Sequence, residues 1–361
     1  MIRKSALVAV VAALLGLPAA AAAALPAGFV GISPQTPAEQ GDYELMAEAG
    51  IASVRLPLYW FGVQPHSALE SPDWSEFDRS VELAAEAKMR VFPFVWGSPS
   101  WAAPQPAIEP TRTPIEVRAW ASFLRQAVRR YGAEGVFWWQ HPRLPYRPIR
   151  AWEVWNEENI VSFSANSDPE RFARLLRVSG RVIHRADPGA RAIAGGLFGR
   201  PLQVPPNVAS DDFLDRVYRV GDVKRYFDGV ALHPYVADAD AMAPQIRNLR
   251  RTMRRHGDAA TPLYVTELGW GSDGFQTRWE RGLQGQAREL DQAFSLLDNH
   301  RAAWRIGGVW WFSWADIDGG CQFCDSAGLL TQGREGKPSW YRFNAWTGGS
   351  ADTVPRARFG E

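Results

Sequence analysis

Two short stretches carry the residues best suited to chemistry. Trp152-Glu153-Val154-Trp155-Asn156-Glu157-Glu158-Asn159 begins as an aromatic, β-favouring run and ends in amide and carboxyl groups. Leu263-Tyr264-Val265-Thr266-Glu267-Leu268-Gly269-Trp270 has the same build, an apolar strand that delivers one carboxylate with tryptophan beside it. Burying such groups is costly unless they are paired or put to use. The bland reading of the first stretch alone is a surface turn after a buried strand. Together they place two carboxyl groups on two strand ends, the pair that cleavage of a glycosidic bond requires. One donates a proton to the leaving oxygen, while the other, ionised, attacks or steadies the anomeric carbon. In the retaining geometry the two groups lie only about 5–5.5 Å apart.

Positioning such a pair is the task of the remaining chain. Apolar runs at 29–33, 52–58, 91–95, 151–155, 190–197, 227–233, 263–267 and 308–314 alternate with helical patterns. The clearest helix opens on Thr113-Pro114-Ile115-Glu116, a capping box with proline at the first helical position, and stops at Gly132. Ser167-Asp168-Pro169-Glu170 starts the next in the same manner, whereas 135–147 reads as a long Pro- and aromatic-bearing connection. Strands apolar on both faces and alternating with helices imply a parallel sheet covered by helices. The expected fold is a single α/β domain, a (β/α)8 TIM barrel. A doubly wound open sheet is the rival, but no G-x-G-x-x-G or phosphate loop follows any strand.

In such a barrel the chemistry sits at the C-terminal ends of the strands. Arg55, Asn156, Glu157, His233, Tyr235, Glu267 and Trp314 all fall at such ends. Each has a harmless explanation alone, a structural histidine or a buried ion pair. Seven on one rim make a pattern. Trp155-Asn156-Glu157 and Val265-Thr266-Glu267 resemble the strand-4 and strand-7 signatures of glycoside hydrolase clan A. Its members, families 5 and 39 among them, are retaining (β/α)8-barrel enzymes. The resemblance implies that Glu157 is the acid/base and Glu267 the nucleophile, and it extends to Arg55, His233, Tyr235 and Trp314. Gly97-Ser98-Pro99-Ser100-Trp101 is also similar to the strand-3 segment of family-39-like barrels, as are Gly328-Leu329-Leu330, Pro338 and Tyr341 to their tail.

Each residue then has a physical use. Partial burial and the Glu267 charge should raise the pKa of Glu157, while Arg55 and Tyr235 should hold Glu267. Asn156 suits the sugar 2-hydroxyl, Trp314 a hydrophobic floor, and Trp60, Trp96, Trp101 and Trp270 further subsites. One departure stands out: the clan usually has proline after the acid/base, and this chain has Glu158. A second carboxyl there could raise the pKa of Glu157 or compete for its role. Glu153 shares strand parity with Glu157 and reads as the partner of an arginine.

Composition supports a globular chain: 361 residues, 46% hydrophobic, formal net charge +1, with no basic field to attract nucleic acid. Tryptophan is abundant, 17 residues, which serves a large aromatic core and also suits sugar stacking. Arg3, Lys4, the apolar run 6–17 and the alanines at 19–24 read as an export signal, residues 1–24, before a catalytic domain at 25–361. A retained N-terminal anchor is the alternative, and no later segment reaches the length of a membrane span. Cys321 and Cys324 form a C-x-x-C that suits redox chemistry or a small structural disulfide, and a loop in an exported chain favours the disulfide. Two thiolates without a histidine are too few for zinc, H-E-x-x-H is absent, and no metal or cofactor is implied. The expected protein is a secreted or cell-envelope monomer acting on an oligo- or polysaccharide. A barrel that binds carbohydrate without turnover is the other reading.

Overall fold

Eight apolar runs become eight strands that pair in parallel and in chain order, the last closing on the first. The computed structural model describes residues 25–201, 205–274 and 276–350. The stretch read as an export signal, residues 1–24, lies outside them. The chain runs β1 (Val30–Ile32), α1 (Gln40–Glu48), β2 (Ser53–Tyr59), α2 (Ser75–Glu86), β3 (Arg90–Trp96) and α3 (Pro114–Tyr131). It continues through β4 (Ala151–Val154), α4 (Pro169–Ala186), β5 (Arg191–Phe198), α5 (Ser210–Arg219), β6 (Gly229–His233) and α6 (Met242–Arg255). The last units are β7 (Leu263–Leu268), α7 (Gly282–Trp304), β8 (Ile306–Trp311) and α8 (Pro338–Thr347). This is the (β/α)8 barrel that the alternation implies. No helix among the described residues is long and apolar enough to cross a membrane.

The helix starts follow from their caps. Asp168 accepts hydrogen bonds from Glu170 N at 3.0 Å and Arg171 N at 3.1 Å, satisfying two orphan donors of α4. At α3 the Thr113 hydroxyl accepts from Glu116 N at 3.2 Å, but Glu116 reaches back one residue further, to Arg112 N at 2.9 Å. That is half of the expected box, with an Arg112–Glu116 ion pair in place of the other half. The connection at 135–147 is not wholly irregular: Val136–Gln140 forms a short helix that buries Phe137 and Trp138.

Two apolar cores stabilise the barrel. Most buried side chains lie in one continuous cluster, which includes the inward stripes of α3, α4 and α6. A second, small cluster is Phe92, Ile193, Ala231, Tyr264 and Trp310, one residue from each of five strands. Side-chain layers of this kind fill a barrel and leave no pore. Gly229 makes room for it, since a Cβ there would stand 2.5 Å from the Tyr264 ring.

Sequence periodicity misplaces one strand end. β8 stops at Trp311, three residues before the expected end at 314. The chain then turns, and Trp314 faces inward: it is 2% exposed, donates to Asp42 Oδ1 at 2.7 Å and packs edge-on against Trp340. Cys321 and Cys324 are disulfide-bonded in the loop that follows. Between them Phe323 packs its ring 5.2 Å from Tyr235 and 5.1 Å from Trp279.

Candidate active site

Arg55, on β2, organises the carboxylates. It is fully buried, and its Nε and Nη2 each donate to a Glu153 oxygen at 2.9 Å. Nη1 donates to Glu267 Oε1 at 2.6 Å and Nη2 to Asn156 Oδ1 at 2.7 Å. The guanidinium also lies 4.1 Å over the Phe94 ring. Burial by itself would lower the pKa of Arg55, but the Glu153 and Glu267 carboxylates outweigh it, so the residue stays cationic. One cation thus anchors strands β2, β4 and β7. Glu153 is the arginine partner that its strand parity implies.

Glu267 sits at the end of β7, and its side chain is 13% exposed. Arg55 holds one oxygen, and the Tyr235 hydroxyl donates to the other at 2.7 Å. Burial, followed by the Glu267 charge, raises the Tyr235 pKa well above its ordinary value, so this phenol remains a donor.

Glu157 is built for the opposite state. Its carboxyl is 5% exposed, and Oε1 shares a 2.7 Å hydrogen bond with His233 Nδ1. Burial pushes its pKa well above 4.5, and the negative charge of Glu267 adds to the push. His233 is fully buried, its pKa falls well below 6.5 through burial and the nearby Arg55, and its Nε2 lies 3.0 Å from Thr266 Oγ1. A neutral imidazole beside a carboxyl that resists ionisation can hold that proton without adding charge. Gly196 of β5 is needed for this seat, because a Cβ there would stand 2.1 Å from His233 Nε2. Trp155 and Glu157 both adopt the left-handed backbone region, φ +74° and +47°. Such conformations cost free energy in non-glycine residues and gather at functional sites. Trp155 holds the turn through its indole N–H, which donates to Phe163 O at 2.7 Å.

The distance that decides the chemistry is the one across the cleft. Oxygen atoms of Glu157 and Glu267 and a nitrogen of His233 all lie within 4.8 Å of one another. A retaining pair stands about 5–5.5 Å apart and an inverting pair about 6.5–9.5 Å. The same three groups could in principle ligate a cation. Here, however, both Glu267 oxygens are already taken by Arg55 and Tyr235, and a cation would have to share its ligand with a guanidinium 2.6 Å away.

Arg55, Asn156, Glu157, His233, Tyr235 and Glu267 therefore converge. The tryptophans do not. Trp60 is fully buried against Trp101, Trp120 and Phe123, and Trp270 is fully buried with its N–H on Val236 O. Trp101 is half-buried and donates to Gln64 O at 2.8 Å. Together with Trp314 these rings belong to the packing of the rim. Accessible aromatic surface comes instead from Tyr59, 40% exposed and stacked on Phe61, and from half-buried Trp96 and Phe312. Trp96 is one of the tryptophans expected at a further subsite, whereas Thr266, Phe94, Tyr59 and Phe312 carry no sequence signal beyond their nearness to the motif residues.

Glu158 does not join the cluster. Its fully buried carboxyl lodges against Gly195, where a Cβ would meet Oε1 at 1.7 Å, and neither oxygen has a hydrogen-bond partner. Burial raises its pKa well above 4.5, and the Glu153, Glu109 and Glu157 carboxyls add to this. A folded-state pKa raised above the unfolded value means no ionisation cost below about pH 4. The cost grows as pH rises through the folded pKa. Glu158→Gln is accordingly expected to stabilise the fold at pH 7 by about 1–3 kcal/mol and hardly at all at pH 4. Melting curves at the two pH values check this, and equal losses at both would overturn the reading.

The comparisons with known proteins bear on the fold. No family model matches the chain. The structure of a family 39 glycoside hydrolase from Bacteroides cellulosilyticus superposes with a TM-score of 0.69 at 20% identity, over 89% of this chain and 64% of that one. The family 39 enzyme of Xanthomonas axonopodis pv. citri gives 0.62 at 18% identity, over 90% and 67%. The fold is that of these hydrolases. A family 5 structure from Bifidobacterium longum gives 0.60 at 14% identity, over 86% of this chain and 72% of that one. In sequence, the chain is 25% identical over 154 residues to a β-xylosidase of Geobacillus stearothermophilus, 39% of this chain and 28% of that protein.

Proposed function

We propose that the chain is a retaining glycoside hydrolase for β-linked sugars, with Glu157 as acid/base and Glu267 as nucleophile. The observation that carries this reading is two carboxyl groups within 4.8 Å in opposite surroundings. Glu267 accepts hydrogen bonds from the Arg55 guanidinium and the Tyr235 hydroxyl, while burial and the Glu267 charge push the Glu157 pKa well above 4.5. In the first step Glu267 attacks the anomeric carbon as Glu157 gives its proton to the departing glycosidic oxygen. The ester that forms removes the Glu267 charge, so the Glu157 pKa drops and its carboxylate takes a proton from water. Water then displaces Glu267, and the sugar leaves with its original configuration. Asn156, tied to Arg55, is placed to meet the sugar 2-hydroxyl. The β-xylosidase similarity makes a β-xyloside the first substrate to try.

Two further features belong to the proposal. The export signal read at residues 1–24 and the Cys321–Cys324 disulfide both favour an extracytoplasmic site of action. Binding without turnover is the competing outcome, and kinetics separate the two. Release of nitrophenol from a β-glycoside panel should fall as pH rises through the raised Glu157 pKa, above 4.5. In Glu157→Gln that alkaline limb should vanish, and substrates with poor leaving groups should lose roughly 10²–10⁴-fold in rate. An unchanged limb in the variant would remove Glu157 from the acid role, and a silent wild type that still binds polysaccharide would favour the binding barrel.

A further inference from the structure

The loops after β5, β6 and β7 and the first turns of α6 line an open cavity of about 550 Å³, within the range of small-ligand pockets. Tyr235, whose hydroxyl holds Glu267, also lines the cavity, so one side chain separates it from the catalytic carboxylates. Among the described residues its charged lining consists of two guanidinium groups, Arg200 and Arg278. Both are exposed, and neither meets a carboxylate among the described residues. Arg278 donates to the Arg200 carbonyl at 3.3 Å and lies 4.8 Å over the Trp279 ring. The third arginine of this rim, Arg281, is spoken for: it donates to Ala237 O and lies 3.8 Å from Glu289.

Two guanidinium groups without an ion pair among the described residues flank one hollow and are free to meet an anion. Guanidinium groups suit carboxylate and sulfate oxygens in particular, because their paired N–H donors match two oxygens at once. The surroundings suit a sugar. Gln245 and Asn248 supply amides for hydroxyls, and Tyr235 adds an aromatic side chain to the lining.

We propose that this cavity is a subsite for a glycan residue carrying an anionic substituent, a uronate carboxylate or a sulfate ester, held by Arg200 and Arg278 next to the sugar cleaved at Glu267. The inference rests on the glycosidase reading for the position of the substrate, and it adds the substrate class.

Binding tests it independently of turnover. The full chain carrying Glu157→Gln is titrated with glucuronoxylo-oligosaccharides, with the same oligosaccharides after carboxyl reduction, and with sulfated xylo-oligosaccharides. Calorimetry supplies the readout. At least one anionic set is expected to bind about tenfold or more tighter than the reduced, uncharged set, the scale of one charge-assisted hydrogen bond. Whether the uronate or the sulfate set gains identifies the anion. Adding Arg200→Ala and Arg278→Ala should shrink the gap to about twofold or less. Equal affinity for charged and uncharged sets, a preference that survives both substitutions, or no binding of any set would each overturn the subsite. A wild type inert on every glycoside whose Glu157→Gln form still shows the charge preference would instead overturn the glycosidase reading and leave the subsite standing.

Discussion

Replacing Glu267 with alanine is expected to lower turnover of a β-glycoside by roughly 10⁴-fold or more, the scale on which loss of a catalytic group is felt. The fold should survive, because Arg55 keeps both oxygens of Glu153 and the Asn156 amide after the change. The vacated space opens beside Arg55 Nη1 and the Tyr235 hydroxyl, two donors that can receive a small anion. Azide should therefore restore part of the rate and appear in the product as a glycosyl azide of inverted configuration, since it attacks from the face that Glu267 occupied. Steady-state rates with and without azide, together with a melting curve, check the prediction. Near-normal turnover in the variant would dismiss Glu267 as nucleophile.

Arg55→Ala should damage stability and activity together. The substitution leaves Glu153, itself completely buried, without its cation, and breaking a buried pair in this way costs about 3–5 kcal/mol. Glu153 already resists ionisation through burial, with Arg55 as the main opposing influence, so it should take up a proton in the variant. The loss has a direction with pH. Once Arg55 is gone the folded-state pKa of Glu153 rises further above the unfolded value, so the instability is small near pH 4 and grows as pH rises. Adding Glu153→Gln should recover much of the stability, because the fully buried carboxyl that lost its cation is then replaced by a neutral amide. It should not recover activity, because Glu267 and Asn156 would still lack their shared donor. Urea unfolding of the single and double variants measures the first effect and kcat/KM the second. Equal stability of the wild type and the Arg55→Ala protein would show that the ion pair contributes nothing.

The architecture was legible because parallel strands covered on both faces must be apolar throughout, and short helices must announce their starts. Thr113 and Asp168 did so, and both cap as their positions imply. The six polar residues that meet at the centre were legible for the converse reason: an arginine, a histidine and carboxyl groups inside apolar strands need one another. The tryptophans were not. An indole is equally at home beneath a sugar and beneath a helix, and Trp60, Trp270 and Trp314 went to the second use. For Trp314 the apolar run itself misleads, since Phe312 to Trp314 are as hydrophobic as the strand yet follow the turn out of it. The length of α7 was hidden in the same way. It runs on to Trp304 through a polar stretch that no apolar stripe marks. The fate of Glu158 depended on Gly195, a residue 37 positions away whose missing side chain makes the space.

The expectations for activity rest on one chemical event, a sugar carried briefly on Glu267 while Glu157 exchanges one proton. The most direct measurement is the proton NMR spectrum of the first sugar released from a β-glycoside, recorded before mutarotation sets in. The carboxyl spacing of Glu157 and Glu267 predicts β-anomeric product, formed by two successive inversions. α-Anomeric product at the earliest times would mean that water attacks directly, and would contradict the account.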